Sequence, residues 1–279
     1  MLAITGSNGF VGSFFLQHLA ENGVAATRIE RGMAPPAGAS AVIHIGGLAH
    51  SNATPQEFMD ANYHATMKLA QEALDRGVGR FVFVSTINVV AGHENTVLAP
   101  DLPYKPLSEY GISKARAEEE LRALQGMDVV ILRPPLVFGS NVKGNLRTLM
   151  KICATGMPLP FGSVNNRRSM IGVSNLCEAM RFLATAPAEA VAGRVFHVAE
   201  AQPFALSRII ATCRKAMGKP PRLFSLPPTL LDGTLRRLGK AKLADQLFQD
   251  LVVDDSSLVD AGWARMDTSL KDMESMARS

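Results

Sequence analysis

Three glycines, each three residues after the last, follow the first apolar run of the chain. Residues 2–4 are long enough only for a buried strand, and Gly6, Gly9 and Gly12 come directly after it. Apolar residues at helical spacing then continue to a stop at Gly23. A strand, a glycine turn and a helix in this order cradle phosphates in dinucleotide folds, because free N–H groups of the first helical turn face the anion. The sequence therefore predicts a cofactor site formed by Gly6, Asn8, Gly9, Phe10, Val11 and Gly12.

The composition excludes several other classes of protein. Of 279 residues, 47% are hydrophobic and 19% are charged, which is enough apolar material for a sizeable core. We find no apolar run of membrane-spanning length and expect no signal peptide before the first strand. Cys153, Cys177 and Cys213 lack metal-ligand spacing, and the net charge of +4 is mild. We therefore expect a cytoplasmic protein with no metal, no nucleic-acid partner and no membrane partner.

Strands and helices alternate along most of the chain. Apolar runs predict strands at 24–29, 41–45, 80–86, 128–133 and 194–199, and helical patterns lie at 55–76, 108–125, 144–156 and 174–186. This alternation predicts an α/β fold, a Rossmann-type doubly wound parallel sheet. From about residue 201 the pattern changes to helices and Pro-rich turns, which predicts a small, mostly helical lobe. We divide the chain into a nucleotide-binding domain, 1–135 plus about 163–200, and a substrate lobe, about 136–162 and 201–279.

The segment after the second predicted strand leaves the choice of cofactor open. Glu30 lies where an acidic residue usually accepts the adenosine ribose hydroxyls, which favours NAD. Arg31 is next to it and can pair with a 2′-phosphate, which favours NADP. The link at 32–40 that follows is too short and too Pro-rich for a crossover helix. We therefore expect NAD or NADP, without a choice between them.

A tyrosine and a lysine lie one helical turn apart in the predicted helix at 108–125. Tyr110 and Lys114 share a helix face, and a nearby cation favours the phenolate, which lowers the pKa of a tyrosine from its usual value near 10. Thr86 ends a central strand, at the sheet edge where ligands bind in such folds. Its hydroxyl can hydrogen-bond the same reacting oxygen. The three residues therefore predict acid/base chemistry at a hydroxyl or carbonyl group.

Taken together, these motifs resemble an extended short-chain dehydrogenase/reductase of the NAD-dependent epimerase/dehydratase (nucleotide-sugar) family. The resemblance covers nearly the whole chain and rests on Asn62, Asn145, Leu146 and segments 5–12, 44–47, 81–86, 110–114, 133–139, 168–176 and 254–263. It implies Tyr110 as catalytic acid/base, Lys114 as its partner and nicotinamide-ribose ligand, and Thr86 as the hydroxyl that orients the sugar. It implies that Asn145 and Arg168 hold a nucleotide diphosphate. To the cofactor site we also assign Gly46, Gly47, Leu48, Ser85 and Pro135.

The chain departs from this family in two places. The family usually has another strand and helix where only 32–40 remain, so we expect a sheet one strand narrower on that edge. Dehydratases of the family follow the active-site threonine with an Asp-Glu pair, and here Ile87 and Asn88 follow Thr86. We therefore expect no water elimination. What remains is reduction of a 4-keto sugar or 4-epimerisation, with hydride transfer at C4.

Segments 142–145 and 166–169 are similar to a group that reduces UDP-4-keto-6-deoxy-N-acetylhexosamines for surface polysaccharides. This similarity favours a UDP-sugar substrate, with UDP-sugar 4-epimerisation as the other reaction left open. A different class, a non-catalytic NAD(P)-binding regulator on the same scaffold, is the alternative. Related enzymes use the helices at 55–76 and 108–125 for a dimer contact, so a homodimer through these helices is expected.

Overall fold

The computed structural model describes residues 1–49, 53–93 and 96–279. Six parallel strands form its central sheet, in the order β2-β1-β3-β4-β6-β9. They are β1 (Leu2–Thr5), β2 (Ala26–Arg28), β3 (Ala41–His44), β4 (Arg80–Val84), β6 (Asp128–Arg133) and β9 (Val195–His197). Two further parallel pairs lie outside this sheet: β5 (Val97–Leu98) with β10 (Val252–Val253), and β7 (Leu136–Phe138) with β8 (Met170–Gly172).

Helices cover both faces of the sheet, and further helices lie in the regions outside it. Those within the sheet region are α1 (Phe10–Glu21), α2 (Pro55–Met59), a π-helical turn (Asp60–His64), α3 (Ala65–Asp75), α4 (Glu109–Ala123), α6 (Val173–Thr185) and α7 (Ala188–Val191). The others are α5 (Gly144–Thr155), α8 (Leu206–Ala216), α9 (Pro228–Arg237), α10 (Ala241–Phe248), α11 (Ser256–Asp260) and α12 (Ser269–Arg278). None of the helices that the structure describes has the length and apolar character that a membrane span requires.

The predicted parallel sheet is confirmed, including its narrow edge. Residues 32–40 add no strand, so β2 is the outermost strand on that side and pairs only with β1 within the described residues. The predicted strands and helices occur at the predicted places with ends shifted by a few residues. The Pro-rich link fails to form a strand because Pro35 and Pro36 lack the N–H groups that a sheet ladder needs.

Two local predictions were wrong. Between the predicted strand at 80–86 and the predicted helix at 108–125 the sequence indicates only a loop, but the chain there contains a 3₁₀ turn at Ile87–Val89 and strand β5, which pairs with β10. The predicted single helix at 55–76 contains the π-helical turn between α2 and α3. A π turn inserts an extra residue into a helix and is frequent at functional sites. Here the turn carries Asn62, whose side chain is fully buried.

A further apolar cluster lies outside the two that cover the sheet. Phe138, Leu146, Met150, Ile210 and Met273 lie in one buried cluster that joins β7, α5, α8 and α12. The sheet strands pack into separate clusters on either face. We propose that the cluster around Ile210 is the core of the substrate lobe.

The carboxyl-terminal helix is fastened to the start of α6. Asp272 of α12 accepts hydrogen bonds from the backbone N–H of Ser174 at 3.0 Å and from its hydroxyl at 2.7 Å. Burial raises the pKa of Asp272, and the two hydrogen bonds from Ser174 oppose that rise. Glu200 lies beside it and accepts from the N–H of Gly172 at 2.9 Å. This contact fixes the second cluster against the sheet region.

Candidate functional site

A single cleft of about 2150 Å³ runs along the carboxyl ends of the central strands. This is the edge at which parallel α/β sheets bind ligands. The structure brings the residues predicted to bind cofactor or substrate, or to act in catalysis, to the wall of this cleft: Gly6, Asn8, Gly9, Phe10, Val11, Gly12, Glu30, Arg31, Gly46, Gly47, Leu48, Ser85, Thr86, Tyr110, Lys114, Pro135, Asn145 and Arg168. Residues separated by more than 100 positions in the chain thus share one site.

The glycine turn between β1 and α1 requires glycine at two positions. Gly6 has φ of +69°, and a Cβ there would lie 2.7 Å from the backbone nitrogen of Gly46. A Cβ on Gly12 would overlap the carbonyl oxygen of Gly6. The turn closes with a hydrogen bond from the N–H of Gly9 to that same oxygen, at 3.0 Å. Any side chain would force these three backbone segments apart.

The start of α1 is arranged to receive an anion. Gly9 is the N-cap residue of α1, and having no side chain it cannot accept a hydrogen bond from the first N–H groups of the helix. The first turn of α1 also carries no acidic residue. The N–H groups at a helix start are otherwise unsatisfied and carry the positive end of the helix dipole. A cradle without Cβ atoms and with free donors therefore fits the pyrophosphate of a dinucleotide.

Lys114 lies deep in the cleft wall, with its ammonium group held by neighbouring strand residues. Its Nζ donates to the carbonyl oxygen of Val84 at 3.0 Å and lies 4.4 Å from the ring centre of Phe83. Burial lowers the pKa of Lys114 to about 8, and the carboxylate of Glu118 one turn further on opposes this shift. A Cβ on Gly47 would come within 3.4 Å of the same Nζ, so this glycine keeps access to the ammonium group open.

Tyr110 enters the cleft from the first turn of α4. Ser108 caps that helix, since its Oγ accepts from the N–H of Gly111 at 3.2 Å. Burial raises the pKa of Tyr110 to about 12, and a hydrogen bond with Thr86 opposes this rise. In the protein without a cofactor, the lost solvation of the phenol therefore outweighs any lowering of this pKa by Lys114. The expectation of a lowered pKa concerned Lys114 acting together with an oxidised nicotinamide.

Asn62 joins the turn after β3 to the helix that carries Tyr110. The N–H of Leu48 donates to Oδ1 of Asn62 at 2.7 Å, and Nδ2 donates to the carbonyl oxygen of Leu48 at 2.9 Å. Nδ2 also donates to Oγ of Ser113 at 3.0 Å, and Ser113 donates to the carbonyl oxygen of Tyr110 at 2.9 Å. The π-helical turn therefore positions both the Gly46–Leu48 segment and the start of α4.

A chain of buried hydrogen bonds runs across the floor of the cleft through His44. The N–H of Gly46 donates to Oγ1 of Thr5 at 3.2 Å, and Thr5 lies 2.6 Å from Nδ1 of His44. On the other side, Nε2 lies 2.9 Å from Oγ1 of Thr66, which donates to the carbonyl oxygen of Asn62 at 2.8 Å. The hydroxyl of Thr66 donates its one proton to the carbonyl oxygen of Asn62, so Nε2 of His44 must donate to Oγ1 of Thr66. Nδ1 of His44 must then accept from the hydroxyl of Thr5. Burial, helped by the charge of Lys114, lowers the pKa of His44 to about 3, so the ring stays neutral.

Sequence reasoning missed the roles of Thr5, His44, Thr66 and Ser113. Thr5, His44 and Ser113 stood within motifs that the sequence brought out, but without a role of their own, and Thr66 stood outside them. A buried polar residue looks like any other polar residue until its partners are known. The signal that could have found them is polarity inside otherwise apolar runs, as His44 has in β3.

Asn145 and Arg168 line the outer part of the cleft and contact α10. Nδ2 of Asn145 donates to Oε1 of Gln246 at 2.5 Å. Nη1 of Arg168 donates to the carbonyl oxygen of Gln249 at 3.0 Å. Burial lowers the pKa of Arg168, and the nearby Asp250 opposes that shift. These two side chains are thus brought to one region and are held there by the segment that follows α9.

Glu30 and Arg31 are exposed side by side where the cleft meets the narrow edge of the sheet. Lys68 and Glu72 of α3 line the cleft as well. The loop after β2 and helix α3 thus each offer a carboxylate, which could bind ribose hydroxyls, and a cation, which could bind a 2′-phosphate. The geometry therefore leaves both NAD and NADP open.

Comparison with known protein families identifies one match. The NAD dependent epimerase/dehydratase family matches residues 33–199. A UDP-glucose 4-epimerase of Vibrio cholerae is 33% identical over 238 residues, which cover 80% of this chain and 71% of that protein. An N-acetyl-alpha-D-glucosaminyl-diphospho-ditrans,octacis-undecaprenol 4-epimerase of Escherichia coli O157:H7 is 29% identical over 154 residues, covering 52% of this chain and 46% of that protein.

Solved structures share the fold over nearly the full length. The UDP-glucuronic acid 4-epimerase from Bacillus cereus, in complex with NAD, aligns with a TM-score of 0.78 and 17% identity, over 99% of this chain and 97% of that one. A dTDP-glucose 4,6-dehydratase from Streptomyces venezuelae aligns with a TM-score of 0.76 and 19% identity, over 100% and 96%. At these identities the likeness concerns the fold.

Proposed function

The chain belongs to the NAD dependent epimerase/dehydratase family, and from this premise we propose that it reduces or epimerises a nucleotide sugar at C4. Family membership confirms the predicted cofactor class, NAD or NADP. The observation that supports the finer proposal is the placement of Thr86, Tyr110 and Lys114 on the same cleft as the glycine cradle. The substrate proposed is a UDP-linked sugar.

The chain's own side chains account for the proton side of this reaction. A bound nicotinamide cofactor supplies the group that accepts and returns hydride. In the oxidising direction Oη of Tyr110 takes the proton of the C4 hydroxyl as the C4–H bond breaks, and in the reducing direction it returns that proton to the carbonyl oxygen. The hydroxyl of Thr86 hydrogen-bonds the same oxygen. The ammonium group of Lys114 and the positive charge of an oxidised nicotinamide together would favour the phenolate, and Lys114 would orient the cofactor ribose.

We propose that Asn145 and Arg168 hold the diphosphate of the substrate. A guanidinium offers donors in a planar fork that matches phosphate oxygens. Both side chains now contact backbone or side-chain oxygens around α10, and phosphate oxygens would replace those acceptors. The apolar wall around Leu149 and Leu247 continues the cleft beyond them.

Water elimination is not part of the proposal, because Ile87 and Asn88 follow Thr86. Glu109 is the cleft-lining carboxylate next to Tyr110 in sequence, so it is the residue to test. Detection of a 4-keto-6-deoxy product that disappears in Glu109→Gln would contradict this part.

The decisive experiment follows product and cofactor together. The protein is incubated with UDP-sugars, including UDP-4-keto-6-deoxy-N-acetylhexosamine, and with NADH or NADPH. Net cofactor consumption indicates a reductase, and a changed sugar without consumption indicates a 4-epimerase. Undecaprenyl-diphosphate N-acetylglucosamine belongs in the panel because the E. coli relative is named for it. We expect Tyr110→Phe to lower the rate about 100-fold or more while the melting temperature changes little.

The alternative is a non-catalytic NAD(P)-binding regulator, which the missing strand at the adenine edge favours. Cofactor binding that raises the melting temperature, without turnover of any sugar and without an effect of Tyr110→Phe, would support it. We also propose a homodimer through α2–α3 and α4. A monomer mass by light scattering would remove the dimer and leave the catalytic proposal standing.

A further inference from the structure

The segment from α8 to α10 concentrates the positive charge of the chain. Residues 214–242 carry one acidic residue, Asp232, against the basic residues Arg214, Lys215, Lys219, Arg222, Arg236, Arg237, Lys240 and Lys242. Their excess is larger than the +4 of the whole chain, so all other residues together are net acidic. Arg214 is buried and donates to carbonyl oxygens, so it belongs to the interior. The exposed cations of this segment are Lys215, Arg222, Arg236, Arg237 and Lys240. Exposed charge of one sign is a recognition feature for an anionic partner.

The same segment exposes large apolar side chains. Leu230 of α9 is 63% exposed and Leu238, directly after it, is 65% exposed, and α9 has no buried residue at all. Leu226 and Phe224 precede this helix and are also exposed. Met157 is 63% exposed on the neighbouring segment, which is tied to 223–226 by bridges at Leu159–Leu223 and Phe161–Ser225. We call this set the leucine face: Met157, Phe224, Leu226, Leu230 and Leu238.

Free cations flank the leucine face. Leu230 and Arg237 are seven residues apart, so they project from the same side of α9, and Leu238 directly follows the last turn. Arg236 is paired with Asp232 and Asp245, whereas Arg237 and Lys240 are exposed and form no ion pair with any residue that the structure describes. The apolar side chains and the unpaired cations therefore point toward the same partner.

We propose that the leucine face docks on an anionic phospholipid surface. Such a surface accepts leucine and phenylalanine at the acyl boundary while its headgroups meet the cations beside them. A second copy of this chain fits less well, because a two-fold contact through this face would bring Arg237 and Lys240 of both copies together. The expectation of no membrane partner rested on the lack of a spanning run, and surface docking requires none.

Docking would place α9 between the lipid surface and the cleft. Leu235 of α9 and Leu243 of α10 line the cleft, while Leu230 and Leu238 lie outside its wall. One helix thus presents leucines both to the cleft and to the docking face. The inference does not depend on the proposed reaction, since it rests on charge and exposed apolar area alone.

The test is sedimentation of the full chain with vesicles. We expect binding to vesicles that contain phosphatidylglycerol, little binding to phosphatidylcholine alone, and release by added salt. Leu230→Ser and Leu238→Ser should each lower the partition coefficient about tenfold, and Arg237→Ser about fivefold. Matched controls are Leu270→Ser, 61% exposed in α12, and Arg76→Ser, exposed after α3. Both should bind like the unchanged protein.

The proposal would be overturned if the protein did not bind anionic vesicles, or if the control variants lost as much vesicle binding as the leucine-face variants. It would also be overturned if the protein were a dimer that did not bind vesicles and that Leu230→Ser converted to a monomer. The last outcome would assign the face to a second copy. Circular dichroism checks that each variant folds. Turnover of a UDP-sugar by Leu230→Ser should be unchanged, so failure of docking and failure of the proposed reaction are read separately.

Discussion

Asn62 binds Leu48 through both polar groups of the Leu48 backbone, with its Oδ1 as acceptor at 2.7 Å and its Nδ2 as donor at 2.9 Å. A two-point contact of this kind fixes the orientation of a backbone segment as well as its position. The segment it fixes contains Gly46 and Gly47, which line the cleft. Rigid support of this kind is what a binding site built on a turn needs.

Replacing Asn62 tests that support. Asn62→Ala leaves two partly buried backbone groups of Leu48 without their partner, so we expect the free energy of unfolding, measured in urea, to fall by about 2 kcal/mol. The affinity for NAD or NADP should fall as well. Asn62→Asp keeps the acceptor for the N–H of Leu48 but sets a buried carboxylate oxygen against the carbonyl oxygen of Leu48, so we expect a loss at least as large. Asn22→Ala removes an exposed asparagine that bonds only the carbonyl oxygen of His18, and it is the control. Equal effects at both positions would contradict this role.

The buried histidines predict how stability depends on pH. Burial lowers the pKa of His44 to about 3 and that of His197 to about 4. The unfolded chain binds these protons near pH 6.5, so stability is fully present above that pH and is lost as the pH falls below it. Each histidine contributes a slope of about 1.4 kcal/mol per pH unit down to its folded pKa. We expect the free energy of unfolding, measured from pH 7 to pH 4.5, to fall accordingly.

His44→Gln checks the assignment of that slope. This variant should remove about one half of the pH dependence, whereas His64→Gln, an exposed histidine of the π-helical turn, should leave it unchanged. An unaltered slope in His44→Gln would show that His44 is protonated in the folded protein.

The buried ion pair between Glu118 and Arg133 predicts a large loss of stability when Glu118 is replaced by the uncharged glutamine. Both side chains are fully buried, with Nη2 of Arg133 2.6 Å from Oε2 of Glu118. Glu118→Gln leaves the guanidinium without a compensating charge, so we expect a loss of about 3–5 kcal/mol in unfolding free energy. The neighbouring Glu119→Gln breaks only an exposed pair with Arg116 and should cost less than about 1 kcal/mol. Chemical denaturation of the two variants makes the comparison, and similar losses would contradict it.

Replacing glycine by alanine should have opposite effects on stability in the glycine turn and in α9. Gly12→Ala places a methyl group against the carbonyl oxygen of Gly6, so we expect a loss of about 2 kcal/mol together with weaker cofactor binding. Gly233→Ala, in α9, meets open space and should gain about 0.5 kcal/mol. Thermal melts with and without NAD separate stability from binding. A stabilised Gly12→Ala would rule out the close packing described here.

The parts of the molecule predicted from sequence are those set by local patterns. The glycine spacing gave the β1–α1 turn, and the Pro-rich link gave the narrow edge next to β2. The pairing of β5 with β10 was missed because it joins residues about 150 positions apart. The shift of the Tyr110 pKa was missed because it depends on burial, which a sequence does not display. The roles of the predicted site residues remain proposals.

The π-helical turn between α2 and α3 has a consequence for how this helix can vary. Its surplus residue lets Asn62 face Leu48 while Leu69, Ala70 and Ala73 of α3 still meet the core. Deleting one residue between 60 and 64 would regularise the winding and keep the two halves in phase, because a π turn holds one residue more than an α turn. The amide of residue 62 would then lose its place opposite Leu48. Deleting one residue elsewhere in α2 or α3 would instead turn the two halves out of phase by about 100°, so deletions there should be far rarer than substitutions.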